Sequence, residues 1–256
     1  MNDSVLEQGK VDTEIKEGIG RVTFYHPKSN SLPGQLLKSL EEAILTLSNN
    51  PQVKVILLKS AGEKAFCAGA SFDEFRAVDS QSQAEEFFSG FARVIMAIKK
   101  AKCFVVCRVH GKVVGGGVGL VAASDYVLAV SGASIRLSEL AIGIGPFTIG
   151  PAVQRKIGLS AFNELAIDAE WRSASWAKDK GLYNEVYSTA AELDQALGAL
   201  LSKLCGYSPE AVSDLKRVLW EGTENWEELF KERVSLSGRL LLTDYVKNKI
   251  KEISAS

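Results

Sequence analysis

Residues 13–25 alternate between apolar and polar on either side of Gly18-Ile19-Gly20, the period-2 pattern of a β-hairpin with a glycine turn. Leu36, Leu37, Leu40, Ala43, Ile44 and Leu47 then recur at helical spacing, and Pro33 suits the first turn of that helix, where a missing N–H costs nothing. Residues 53–58, apolar except for Lys54 and rich in β-branched side chains, are too few for a helix, which predicts a buried strand. The order repeats. An amphipathic segment at 84–99, carrying Phe87, Phe88, Phe91, Val94, Ile95 and Ile98, leads into a strand at 103–109. Gly115-Gly116-Gly117 precedes a short apolar segment at 118–123 and a further strand at 126–130. Strands separated by helices need crossover connections, so the pattern predicts an α/β chain with a largely parallel sheet. From Ala161 onward helical spacing dominates, at 191–204 and 209–219 among others, with Glu185-Val186-Tyr187 as one short strand between. Neither an internal repeat nor a low-complexity linker interrupts the chain. We therefore divide it into a core over 1–190 and a helical region over 191–256 of the same domain.

The chain has 256 residues, enough for one sizeable core, with 30 basic and 31 acidic residues. A formal charge of -1 gives no overall field for nucleic acid or an anionic membrane, so an anionic ligand must be caught locally. No apolar run reaches the roughly 18 residues that span a bilayer, and Met1-Asn2-Asp3-Ser4 lacks the parts of a signal peptide, so a cytoplasmic location is expected. Cys67, Cys103, Cys107 and Cys205 form no C-x-x-C pair, and His26 and His110 are the only histidines. Buried free thiols and no metal site are the expectation.

Two glycine-containing turns, at 65–71 and 114–119, each follow a strand and open a helix. A helix start exposes unpaired N–H groups, and glycine lets a ligand approach them, so both turns are placed to donate to one oxygen. Neither turn fits a phosphate loop or a dinucleotide fingerprint. No G-x-S-x-G elbow accompanies His110, which is read as structural, and no base or cation accompanies Cys67, which is read as inert.

Four segments in this order resemble the crotonase superfamily of enoyl-CoA hydratases and isomerases. They are His26-Pro27-Lys28-Ser29-Asn30-Ser31-Leu32, the run Gly62 to Ser71, the run Val109 through the triple glycine to Asp125, and Leu137-Ser138-Glu139 to Pro146. The resemblance covers nearly the whole chain and implies a crotonase-like (ClpP/crotonase) fold of β-β-α units with a C-terminal helical region. It implies that the backbone N–H groups of Ala70 and Gly116 form an oxyanion hole and that Lys28, Ser31, Leu32, Lys64 and Ala68 lie along coenzyme A. No separate cofactor is implied, because coenzyme A is part of the acyl-CoA substrate. A homotrimer or homohexamer is implied as well.

The family's hydratases carry two glutamates, and here Glu139 matches one while Gly119 stands where the other would be. Gly119 is therefore expected to leave open space facing the substrate, with Asp73 or Glu74 as possible substitutes for the absent acid. Family members usually end in an aromatic and a basic residue that reach the CoA adenine, a role for which Lys247, Lys249 or Lys251 are the candidates here. The motifs look closest to methylglutaconyl-CoA hydratase-like members. Hydration of a branched or carboxylated enoyl-CoA is accordingly expected first, a Δ3,Δ2-enoyl-CoA isomerase with Glu139 as single base second, and a non-catalytic acyl-CoA-binding protein third.

Overall fold

In the computed structural model, which describes residues 8–255, the opening alternation becomes a hairpin of β1 (Lys10–Lys16) and β2 (Ile19–Tyr25). The segment Met1 to Ser4, read above for a leader, lies outside the described residues. The hairpin turn is Glu17-Gly18 and not the predicted Gly18-Ile19-Gly20, because Lys16 pairs with Ile19 and both loop residues take positive φ (53° and 79°). A two-residue turn with two positive φ values matches the twist of the flanking strands.

Six strands form the main sheet in the order β1-β2-β3-β5-β7-β9, with β3 (Val55–Ser60), β5 (Phe104–Val109), β7 (Tyr126–Val130) and β9 (Glu185–Tyr187). All pairs beyond β1–β2 are parallel. A second parallel sheet, absent from the periodicity reading, is built from β4 (Ala65–Cys67), β6 (Lys112–Val114) and β8 (Ile135–Arg136). At two or three residues each, these strands are too short to show a period. They place the turns that follow β4 and β6 beside each other.

One face of the main sheet is covered by α1 (Gly34–Asn49), α3 (Gln81–Lys100) and α4 (Gly116–Ala123), whose apolar residues form the largest core. Between α1 and α3 lies the short α2 (Phe72–Ala77). After α4 come α5 (Gly150–Asp168), broken at Gly158, and α6 (Ala174–Asp179). The opposite sheet face is covered by α7 (Ala190–Cys205), which sets Leu193, Leu197 and Leu201 against Ile19, Val55, Leu57, Val106 and Leu128. Burial on both faces explains why the central strands read as continuous apolar runs.

The helical region is tied into this core. Within α8 (Pro209–Leu219), Lys216 is 2% exposed and reaches Asp125 at 2.8 Å and the Cys103 carbonyl at 3.0 Å. Trp226, Phe230 and Val234 of α9 (Trp226–Leu241) join the main core. A smaller cluster joins Val246 and Ile250 of α10 (Asp244–Ala255) to Phe75, Ala84, Ile144 and Leu241. No helix among the described residues is long and apolar enough to cross a membrane.

Candidate active site

The turn after β4 is held by the chain segment ahead of α1. Leu32 donates its amide to Gly69 O at 2.8 Å, and Ser71 caps α2 by accepting from the Glu74 amide at 3.3 Å. That pairing leaves the Ala70 N–H unused. The turn after β6 is anchored by Gly115 N–H on Arg136 O at 2.9 Å, and Val118 N–H closes on Gly115 O at 2.8 Å. Gly115 has φ 53° and ψ −122°, a conformation that a side chain disfavours. Gly116 is required for a different reason: a Cβ there would fall 2.4 Å from the Phe91 ring. As the first residue of α4, Gly116 has no intrahelical acceptor for its N–H. The two turns meet, since a Cβ built on Gly69 would lie 3.9 Å from Gly116 N.

Glu139 follows β8 and opens a 3-10 turn over Leu140–Ile142, where its carbonyl accepts from Ile142 N at 3.2 Å and Ile144 N at 3.0 Å. Gly143, with φ 89°, ends that turn against Tyr245 and Val246 of α10. The carboxyl points back at the second glycine turn, with Oε1 3.1 Å from where a Gly115 Cβ would sit. Although the residue as a whole is half-buried, Glu139 Oε2 is shut off from solvent and has no hydrogen-bond partner. Burial pushes its pKa up to about 7, against the opposing pull of the Glu139 and Ser138 N–H groups. A carboxyl poised near neutrality suits a group that both takes and returns a proton.

A cavity of about 280 Å³ brings Ala68, Ala70, Gly116 and Glu139 together. The remaining expected residues lie elsewhere. Lys28 is exposed and paired with Asp73, and Lys64 is exposed at the start of β4. Ser31 and Leu32 point inward, at 8% and 0% exposure; Ser31 Oγ meets His26 Nδ1 at 3.0 Å, and Leu32 holds the Gly69 turn. Ser31 contributes to this segment through its side chain and Leu32 through its backbone amide. Gly119 corrects the sequence reading: it does not line the cavity, and a Cβ there would fall 2.6 Å from Ile149 Cγ2. Ile149 fills the space expected to be open. Neither Asp73 nor Glu74 lines the cavity either, and Glu74 Oε2 is occupied by the Gly34 amide at 2.8 Å.

Cys67 is fully buried, and burial raises its thiol to about 12, so no thiolate forms near neutrality. His110 lies outside the cavity, with both ring nitrogens buried and unpartnered and its pKa lowered by burial and then by Arg108. Sequence reasoning missed the aromatic wall of the cavity, formed by Phe72, Phe75, Phe87, Phe88, Phe91 and Phe147. A signal was available. Six of the 11 phenylalanines, Phe66, Phe72, Phe75, Phe87, Phe88 and Phe91, fall between 66 and 91, denser than a helix needs for its buried face.

The sequence pattern described as enoyl-CoA hydratase/isomerase matches residues 14–248, across both glycine turns and Glu139. The chain belongs to the enoyl-CoA hydratase/isomerase family. Within this family it is 30% identical over 210 residues to the peroxisomal Δ(3,5)-Δ(2,4)-dienoyl-CoA isomerase of Arabidopsis thaliana, covering 76% of this chain and 74% of that protein. It is 29% identical over 198 residues to the carnitinyl-CoA dehydratase of Escherichia coli K12, covering 77% and 75%. Among solved structures, the enoyl-CoA hydratase of Bacillus halodurans superposes with a TM-score of 0.88 at 21% identity, covering 94% of this chain and 99% of that one. The Mycobacterium smegmatis enoyl-CoA hydratase gives 0.78 at 29% identity, covering 97% and 95%. The fold is thus the crotonase-like α/β fold. Family relatives include both isomerases and dehydratases, so membership alone does not choose the reaction.

Proposed function

We propose that the protein is an enoyl-CoA isomerase in which Glu139 alone carries a proton between two carbons of an unsaturated acyl thioester. The observation that supports this reading best is the buried Glu139 Oε2, unpartnered beside the glycine turns in a cavity with no second ionisable side chain among its described lining residues. In the proposed step the Glu139 carboxylate removes a proton from C2 of a 3-enoyl thioester. The C–H electrons form a C1–C2 double bond, the carbonyl π electrons move onto the thioester oxygen, and the C3–C4 double bond stays in place, giving a dienolate. The N–H groups of Ala70 and Gly116 would hold that oxygen more strongly as charge develops than in the neutral substrate. Glu139 then returns the proton to C4: the C3–C4 electrons take it, the C1–C2 electrons move to C2–C3 and the carbonyl re-forms, leaving the 2-enoyl thioester. Hydration asks for more, because a water must be held and aimed while a proton is delivered to carbon. The proposal therefore puts isomerisation ahead of the hydration expected first from the motifs.

Hydration stays as the second reading because the dehydratase relatives match over three quarters of the chain. Offering 3-hexenoyl-CoA and crotonyl-CoA to the protein separates the two. Conversion of 3-hexenoyl-CoA to the conjugated 2-enoyl thioester, with little hydration of crotonyl-CoA, is expected. Fast hydration of crotonyl-CoA without any double-bond shift would reject the proposal.

A further inference from the structure

The cavity beside Glu139 is an aromatic box. Phe75 is its hub, with ring centroids 6.0 Å from Phe72, 5.7 Å from Phe87 and 6.5 Å from Phe88. Phe87 and Phe88 meet edge to face at 5.1 Å. Rings locked to one another in this way hold a fixed set of faces and edges toward the cavity, and aromatic partners favour offset or edge-to-face contact with them. Next to the oxyanion turn, Phe91 packs against Gly116, and Phe147 lines the side near Ile149.

Charge and size narrow the ligand further. Among the described residues lining the cavity there is no lysine, arginine or histidine, and the only carboxylate is that of Glu139. A carboxylated acyl group would lose its water there without a counter-ion, and would face Glu139 besides. The volume of about 280 Å³ is a little under twice the roughly 150 Å³ of an apolar cavity that takes up one benzene molecule. One six-membered ring and the few carbons that join it to a thioester fill such a space. A long fatty chain exceeds it.

We propose that the acyl group selected by this cavity is compact, uncharged and ring-bearing: an aryl ring a few carbons from the thioester carbonyl, seated among Phe72, Phe75, Phe87 and Phe88. The inference rests on the proposed placement of the thioester at Ala70 and Gly116, and it is independent of which bond then moves. It argues against the methylglutaconyl-like substrate that the motifs suggested.

Calorimetric titration of the full chain with saturated thioesters, which cannot react, tests it. 4-Phenylbutanoyl-CoA is expected to bind about tenfold more tightly than hexanoyl-CoA, through added apolar area and ring contacts. Dodecanoyl-CoA should bind more weakly than hexanoyl-CoA, and glutaryl-CoA no more tightly than coenzyme A itself. Dodecanoyl-CoA or glutaryl-CoA binding as tightly as the phenyl compound would overturn the proposal. In Phe75→Leu the preference for the phenyl over the hexanoyl chain should fall below about threefold, since the hub ring is gone. A merely loosened protein would weaken both ligands alike and keep the ratio, which would count against the box. Phe88→Leu gives the same reading should Phe75→Leu fail to fold. Ring preference without turnover of 3-hexenoyl-CoA would reject the isomerase reading alone, and isomerisation without ring preference would reject the aromatic box alone.

Discussion

Asp125 and Glu139 are both carboxylates withdrawn from solvent, and they are treated in opposite ways. Asp125 Oδ2 accepts from Val105 N–H at 2.7 Å and from Lys216 Nζ at 2.8 Å, with side-chain exposures of 8% for Asp125 and 3% for Lys216. Glu139 Oε2 accepts from nothing. The first carboxylate is occupied in fastening α8 to the end of the sheet. The second is held in place by its backbone turn, and its free oxygen is left to the cavity. Pairing, more than burial, separates the structural acid Asp125 from Glu139, the acid proposed for the chemistry.

The contrast can be broken from either side. Glu139→Gln keeps the side-chain shape but cannot take a proton, so steady-state turnover of 3-hexenoyl-CoA should fall about 10²- to 10⁴-fold. Affinity for a saturated thioester should stay within about threefold in that variant, because the Ala70 and Gly116 amides are untouched. Turnover within a factor of about two of the parent would remove Glu139 from the chemistry. Lys216→Met leaves Asp125 buried without its cation and should cost about 3–5 kcal/mol. Thermal melting should then fall by roughly 10 °C. An unchanged melting temperature would mean that the pair is not what fastens α8.

pH sharpens the same difference. The folded Glu139 carboxyl titrates at about 7, against an ordinary value of 4.5, so the folded chain holds its proton over a range where the unfolded chain has released it. The associated stability is therefore fully present below about pH 4.5 and is lost as pH rises through about 7. At about 1.4 kcal/mol for each pH unit between the two values, the loss is about 3 kcal/mol. Urea unfolding from pH 4.5 to 8 should show this decline in the parent and a flatter profile in Glu139→Gln. Equal slopes in the two proteins would place the carboxyl in water. The smallest expected effect is at Gly119, where Gly119→Ala drives a Cβ against Ile149 and should cost about 1–3 kcal/mol by overpacking. A neutral or stabilising result in the same urea experiment would mean that the position has room for a second acid after all.

Periodicity revealed β1, β2, β3, β5 and β7 of the main sheet, because those strands are long enough, or apolar enough on both faces, to leave a pattern, whereas the three-residue β9 stands out only as a short break between helical stretches. It could not reveal β4, β6 and β8, which are set by tertiary pairing and yet bring Ala70 and Gly116 together. Glu139 was found through its motif, whereas its isolation is a matter of burial that no spacing encodes. Gly119 was misjudged for a related reason. A glycine in a sequence is an absence of atoms, and only packing tells whether Ile149 or a ligand occupies the gap. Lys216 gave no sign of its burial, since a single lysine in an amphipathic helix reads as solvated until its partner is located across the fold.

The small cluster that seats α10 on Phe75 and Ile144 has a consequence for how the acyl pocket opens. Ile253 of α10 and Phe75 of α2 both border the cavity, and both elements are anchored outside the main core. Regions with few buried apolar contacts open at a fraction of the free energy of the whole fold. Amide hydrogens of Asp244–Ala255 and Phe72–Ala77 should thus exchange with deuterated solvent well before those of β3 and β5, and a bound thioester should slow that exchange. The wall of the pocket would then serve as its door, unlatching while the main sheet stays shut.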